Sequence, residues 1–130
     1  MTAAKLYLDL DNVGISEYYD SRSGLSKDDY KRRLENSTTL YVGNLSFFSS
    51  ESQLLELFSM SGQVKNLYMG LNKQTYKPCG FCFVEYYTRD EAEMALGCLN
   101  LSTFDKKQIR VDWDYGYLHS RRFGRGRGGG

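Results

Sequence analysis

A chain of 130 residues with 41% hydrophobic content is sized for one domain with tails. Its net charge of +1 decides nothing about partners, but no stretch approaches the ~20 apolar residues of a membrane helix. Three cysteines, Cys79, Cys82 and Cys98, suit a reducing compartment better than a disulfide framework. Lys5, Asp9 and Asp11 interrupt the early apolar residues that a signal peptide would need, so a soluble intracellular protein is expected. The unusual quantity is aromatic content, 15%, which exceeds what a small core needs; some rings are expected to face outward.

Residues 1–25 carry no sustained periodicity. Ser26 is placed to cap a short helix, with Asp28 and Asp29 in its first turn and Tyr30 and Leu34 on one face. Thr39 to Gly43 is a short β-rich run. Ser50 to Met60 reads as a helix with Leu54, Leu57 and Phe58 on one side. Val64 to Leu71 reads as a strand, Asn72 to Pro78 as a polar loop, and Gly80 to Tyr87 as an aromatic strand. Arg89 to Leu99 is a second helix of the domain, and Gln108 to Asp112 a last strand. The order β-α-β-β-α-β predicts an α+β fold: a four-stranded antiparallel sheet with both helices on one face.

Charge follows these divisions. Residues 1–37, an N-terminal extension, hold 6 basic and 7 acidic residues; the domain, 38–115, holds 7 and 9; the tail, 116–130, holds 4 and none. From 121 onward the Arg/Gly-rich sequence cannot build a core and should be disordered when alone.

Two short motifs fall on the strands expected to be central. One is Leu40-Tyr-Val-Gly-Asn-Leu45, the other Cys79-Gly-Phe-Cys-Phe-Val-Glu-Tyr86. Together they match the two-part signature of the RNA recognition motif. Strand alternation sends Leu40, Val42, Cys82, Val84 and Tyr86 to the helix-covered face. It leaves Tyr41, Phe81 and Phe83 on the other as a platform for stacking bases. Cys79 stands where a Lys or Arg is usual, which removes a phosphate contact and predicts weak general affinity for RNA. Cys79-x-x-Cys82 also has a metal-site spacing, but positions three apart on a strand face opposite sides and no second pair exists, so no metal is expected. Gly124-Arg-Gly-Arg-Gly128 resembles a phosphate-binding loop without the helix that must follow it; its arginines suit direct phosphate contacts. No catalytic constellation is apparent, so no enzyme and no cofactor is expected.

Arg110-Val-Asp-Trp-Asp-Tyr-Gly116 is the puzzling stretch, because it ends a surface expected to meet a polyanion with two carboxylates. Here the sequence resembles the small subunit of the nuclear cap-binding complex over roughly residues 14–128. The likeness rests on Thr39 to Phe47, Glu56 to Ser59, Cys79 to Tyr87, Ile109-Arg110, Asp112-Trp-Asp114 and the Gly-Arg-Gly-Arg127 tail. The resemblance implies binding of the 7-methylguanosine cap of RNA polymerase II transcripts, in splicing, export and surveillance. It also implies a nuclear protein that shuttles to the cytoplasm and pairs with a large helical-repeat subunit, docked through the helix side and residues 26–35.

It further assigns roles. Tyr41 and Tyr18 would sandwich the cationic base; Ser16-Glu-Tyr-Tyr-Asp20 matches Ser-x-Tyr-x-Asp and selects Tyr18, although physics alone leaves Tyr18 and Tyr19 equivalent. Asp114 and the backbone at Trp113 would read the guanine edge, with Arg110 near O6 and Asp112 bracing, Val111 lying between them. Arg121 and Arg125 would hold the triphosphate, within a tail segment that includes Arg122, Phe123 and Gly124. Phe83 would carry the second base. Phe123 stands for a tyrosine and Arg122 for a glutamine, a departure that bears on the tail contacts. Family members usually continue past the equivalent of Gly130, which implies a shorter member or a cut chain. Two other readings stay open: a sequence-tolerant single-strand RNA binder of the splicing type, against which the acidic 112–114 stretch argues, and a module whose sheet binds protein.

Overall fold

The computed structural model describes residues 21–117 and 119–124. β1 (Thr39–Gly43) lies between β3 (Pro78–Tyr86) and β6 (Arg110–Asp114), with β2 (Val64–Leu71) outside β3, giving the antiparallel order β2-β3-β1-β6.

 β1, paired on both sides, sets which side chains share a face.

Its register fixes this. Leu40 pairs with Val84 and Trp113, and Tyr41 with Phe83 and Asp112. Leu40 and Val42 are fully buried, as are Cys82, Val84 and Tyr86 on β3, while Tyr41 stays partly exposed. The sequence-predicted division of faces is therefore the observed one on these strands.

Two helices cover the inner face. α2 (Glu51–Ser59) begins at a capping box in which Ser50 Oγ accepts from the Gln53 N–H at 3.2 Å and Gln53 Oε1 accepts from the Ser50 N–H at 2.8 Å. α3 (Arg89–Leu99) begins at a second box, Thr88 with Glu91. Leu54 and Phe58 from α2, and Ala92, Ala95 and Leu96 from α3, complete the core with Ile109 and Val111. The Tyr86 hydroxyl donates to the Phe58 carbonyl at 2.6 Å, so a buried polar group is satisfied where α2 meets β3. Between α3 and β6 a small hairpin, β4 (Thr103–Phe104) with β5 (Lys107–Gln108), replaces part of the expected last strand, which starts later and runs on to Asp114.

The helix expected after Ser26 forms as α1 (Lys27–Asn36), and Ser26 Oγ accepts from the Asp29 N–H at 3.1 Å. Tyr30 and Leu34 enter the same core as the sheet, with the Tyr30 ring 5.1 Å from that of Tyr115. Arg89 ties the helix down. Its Nη1 donates to the Leu34 and Ser37 carbonyls at 2.6 and 2.8 Å, and its guanidinium lies 3.5 Å from the Trp113 ring centroid. A cation at a helix C-terminus, hydrogen-bonded to its last carbonyls, is favourable on both counts. Arg89→Ala should lower the free energy of unfolding by about 2 kcal/mol, read from the urea midpoint; an unchanged midpoint would mean that α1 is held without it.

Candidate nucleic-acid interface

The outer face of the sheet can be read as rows running across the strands. One row is Asp112, Tyr41, Phe83 and Tyr68, one residue from each strand. A neighbouring row contains Asp114, Thr39 and Glu85. Tyr41 is 38% exposed, and its ring lies against the Gly43 Cα, where a Cβ would approach the ring carbons at 3.0 Å. Phe81 lies over Gly70 in the same manner, at 2.5 Å from a built Cβ, so glycine is required there for the ring to lie flat on the sheet. Tyr41 stacks with Phe81 at 5.8 Å and meets Phe83 edge-on at 5.7 Å. The three predicted platform rings are thus brought together.

They are not equally open. Phe83 is only 2% exposed, because the segment after β6 returns across it. The Tyr117 ring lies 5.4 Å from Phe83 and stacks on Tyr68 at 3.7 Å, within 5° of parallel. The Arg121 guanidinium sits 4.8 Å from Phe83 and 4.0 Å from the Tyr115 ring. Neither Tyr68 nor Tyr117 was among the sequence-predicted site residues. Alternation along β2 places Tyr68 on the face of Gly70, a signal that was available; Tyr117 lies beyond the last strand, where periodicity says nothing.

Asp114, 4% exposed, stands beside Thr39 in the neighbouring row. Its Oδ2 accepts from Arg121 Nη1 at 2.6 Å and from the Gly116 N–H at 2.9 Å, and its Oδ1 accepts from Arg121 Nη2 at 2.8 Å. This is a two-pronged guanidinium–carboxylate pair. Arg121, expected on phosphate, is here on the carboxylate expected to read guanine. Asp112 is half-buried and its Oδ1 accepts from the Trp113 N–H at 2.8 Å; Arg110 is exposed. Val111 and the Trp113 side chain face the helices, so only their backbones border the outer face. Further along, Phe123 bridges to Leu71 and meets Tyr76 edge-on at 5.7 Å, the Gly124 N–H donates to the Leu71 carbonyl at 3.0 Å, and Arg122 is half-buried. Tyr18 and Arg125 lie outside the described residues.

A family model, the RNA recognition motif, matches residues 40–110. The chain is 51% identical over 119 residues to nuclear cap-binding protein subunit 2 of Drosophila ananassae, covering 92% of this chain and 77% of that protein. It is 48% identical over 113 residues to the protein of the same name from Dictyostelium discoideum, covering 87% of this chain but only 48% of that one. The chain belongs to the nuclear cap-binding protein subunit 2 family. Its fold is shared with the RNA recognition motif of RNA15, at 26% identity and a TM-score of 0.58 over 61% of this chain and 91% of that one. This family and fold bind rather than catalyse.

The three cysteines differ in exposure. Cys82 is fully buried in the core, while Cys79 is half-buried beside the Gly124 backbone. Burial raises both thiol pKa values, for Cys79 against a lowering contribution from the Gly124 N–H. Since the thiolate is the reactive form, iodoacetamide at neutral pH should label exposed Cys98 first, Cys79 more slowly and Cys82 only on unfolding, read by mass spectrometry of the digest. Rapid labelling of Cys82 in the folded chain would contradict the assigned face of β3.

Proposed function

We propose that the chain binds the 7-methylguanosine cap of RNA as the small subunit of a heterodimeric nuclear cap-binding complex, beside a large helical-repeat subunit. On this reading it acts in the nucleus, and by shuttling in the cytoplasm, in pre-mRNA splicing, RNA export and surveillance. The observation that carries the reading is the grip of Asp114 on a planar donor fork. Guanine's N1–H and N2–H₂ present the same paired donors that the Arg121 guanidinium presents to this carboxylate. Methylation at N7 adds a positive charge, which favours both the aromatic face of Tyr41 and the neighbouring carboxylates of Asp112 and Asp114.

The chemistry sets an order. The Asp114 carboxylate already accepts three hydrogen bonds, so it cannot take both guanine donors in the fork geometry until Arg121 withdraws. Once released, Arg121 is free to meet phosphate, the role the resemblance gives it with Arg125. Tyr18 would supply the second face of the sandwich, and Phe83 the surface for the next base.

Titration with methylated and unmethylated cap dinucleotides tests this. The methylated form should bind at least about tenfold more tightly, from a cation–π contribution of about 2 kcal/mol, and Tyr41→Ala should erase the difference. Equal affinities in the parent chain would leave the single-strand RNA binder as the better account.

A further inference from the structure

We propose that Tyr68 is the stacking ring of a further nucleotide subsite on the sheet, and that Tyr117 stands in it as a base mimic until RNA displaces it. The inference rests on the reading of the outer face as an RNA surface, but not on recognition of the cap.

The register puts Tyr68 in line with Phe83 and Tyr41, on the next strand out. Neighbouring strands are about 4.8 Å apart, so the row is a continuous aromatic track on which successive bases can lie. Aromatic side chains usually meet offset or edge-on, with centroids 4.5–7 Å apart. Tyr117 on Tyr68 is different: 3.7 Å and 5° from parallel, the arrangement of a base laid flat on a ring. The same segment covers Phe83, so two positions of the track are filled by the chain itself.

The segment is built to leave. It departs from β6 at Gly116, whose φ of +135° is a conformation that favours glycine, and a Cβ there would meet nothing within 4 Å. Tyr115, on the near side of that glycine, is buried and stays with the core. Beyond it the described residues include Arg121 and Arg122 and no acid, so the displaced segment carries positive charge to lie along RNA phosphates.

The test measures affinity of the 130-residue chain for a short oligoribonucleotide, capped and uncapped, and for the methylated cap dinucleotide. Tyr117→Ala should tighten binding of both oligoribonucleotides. Adding Tyr68→Leu to that variant should weaken both by about tenfold and leave the dinucleotide unchanged. Equal oligoribonucleotide affinity with and without Tyr68→Leu overturns the subsite, and no gain from Tyr117→Ala overturns the mimic. Should the double variant fail to fold, nuclear Overhauser contacts between the Tyr68 and Tyr117 rings in the parent chain decide: their replacement by base-to-Tyr68 contacts on adding RNA is expected, and their persistence overturns the proposal. Because the uncapped RNA tests Tyr68 without a cap, a failure of methyl discrimination leaves this result interpretable.

Discussion

The pairing of β1 with both β3 and β6 is the constraint on which the rest depends. Alternation on β1 commits Leu40 and Val42 to the core and Tyr41 to the outer face. Because β6 is paired in register, that commitment also places Asp112 directly beside Tyr41 and Asp114 beside Thr39. A slip of one residue would turn Trp113 outward and both aspartates into the core, where unpaired carboxylates are costly. The burial of Trp113 under Arg89, and of Val111 against Val42, therefore holds the carboxylates where a ligand can meet them.

Acidic groups on a surface for RNA make sense only if they do not face phosphate. Here they lie at one end of an aromatic row, and the arginines lie beyond Gly116. In this structure these opposite charges meet: Arg121 neutralises the buried Asp114 and covers Phe83 at the same time. On the proposed reading, binding on this surface is an exchange of partners, and its apparent strength is reduced by the fraction of chains in which the internal partners remain in place.

Much of this was legible in the sequence. Period-two alternation identified the inner and outer residues of β1 and β3, and Ser26 and Ser50 marked helix starts, because both signals are local. The expected last strand starts at Gln108, because Gln108 extends the alternation of Ile109 to Asp112, but that residue belongs to a separate hairpin. Residues 27–36 were grouped with the N-terminal extension by composition, whereas Tyr30 and Leu34 complete the core. What joins them to it, Arg89 reaching 52 and 55 residues back along the chain, is a contact that no local pattern encodes. The return of Tyr117 and Arg121 over the platform is of the same kind: it depends on the spatial neighbours of Tyr68 and Asp114, not on sequence period.

On the proposed reading, Asp114 reads the donor edge of guanine. Hypoxanthine lacks the 2-amino donor, so a methylated cap built on it isolates that contact. The parent chain should bind this analogue about tenfold more weakly than the guanine cap, and the Asp114→Asn chain should show little difference between the two. An equal penalty in both chains, or none in the parent, would contradict the assignment.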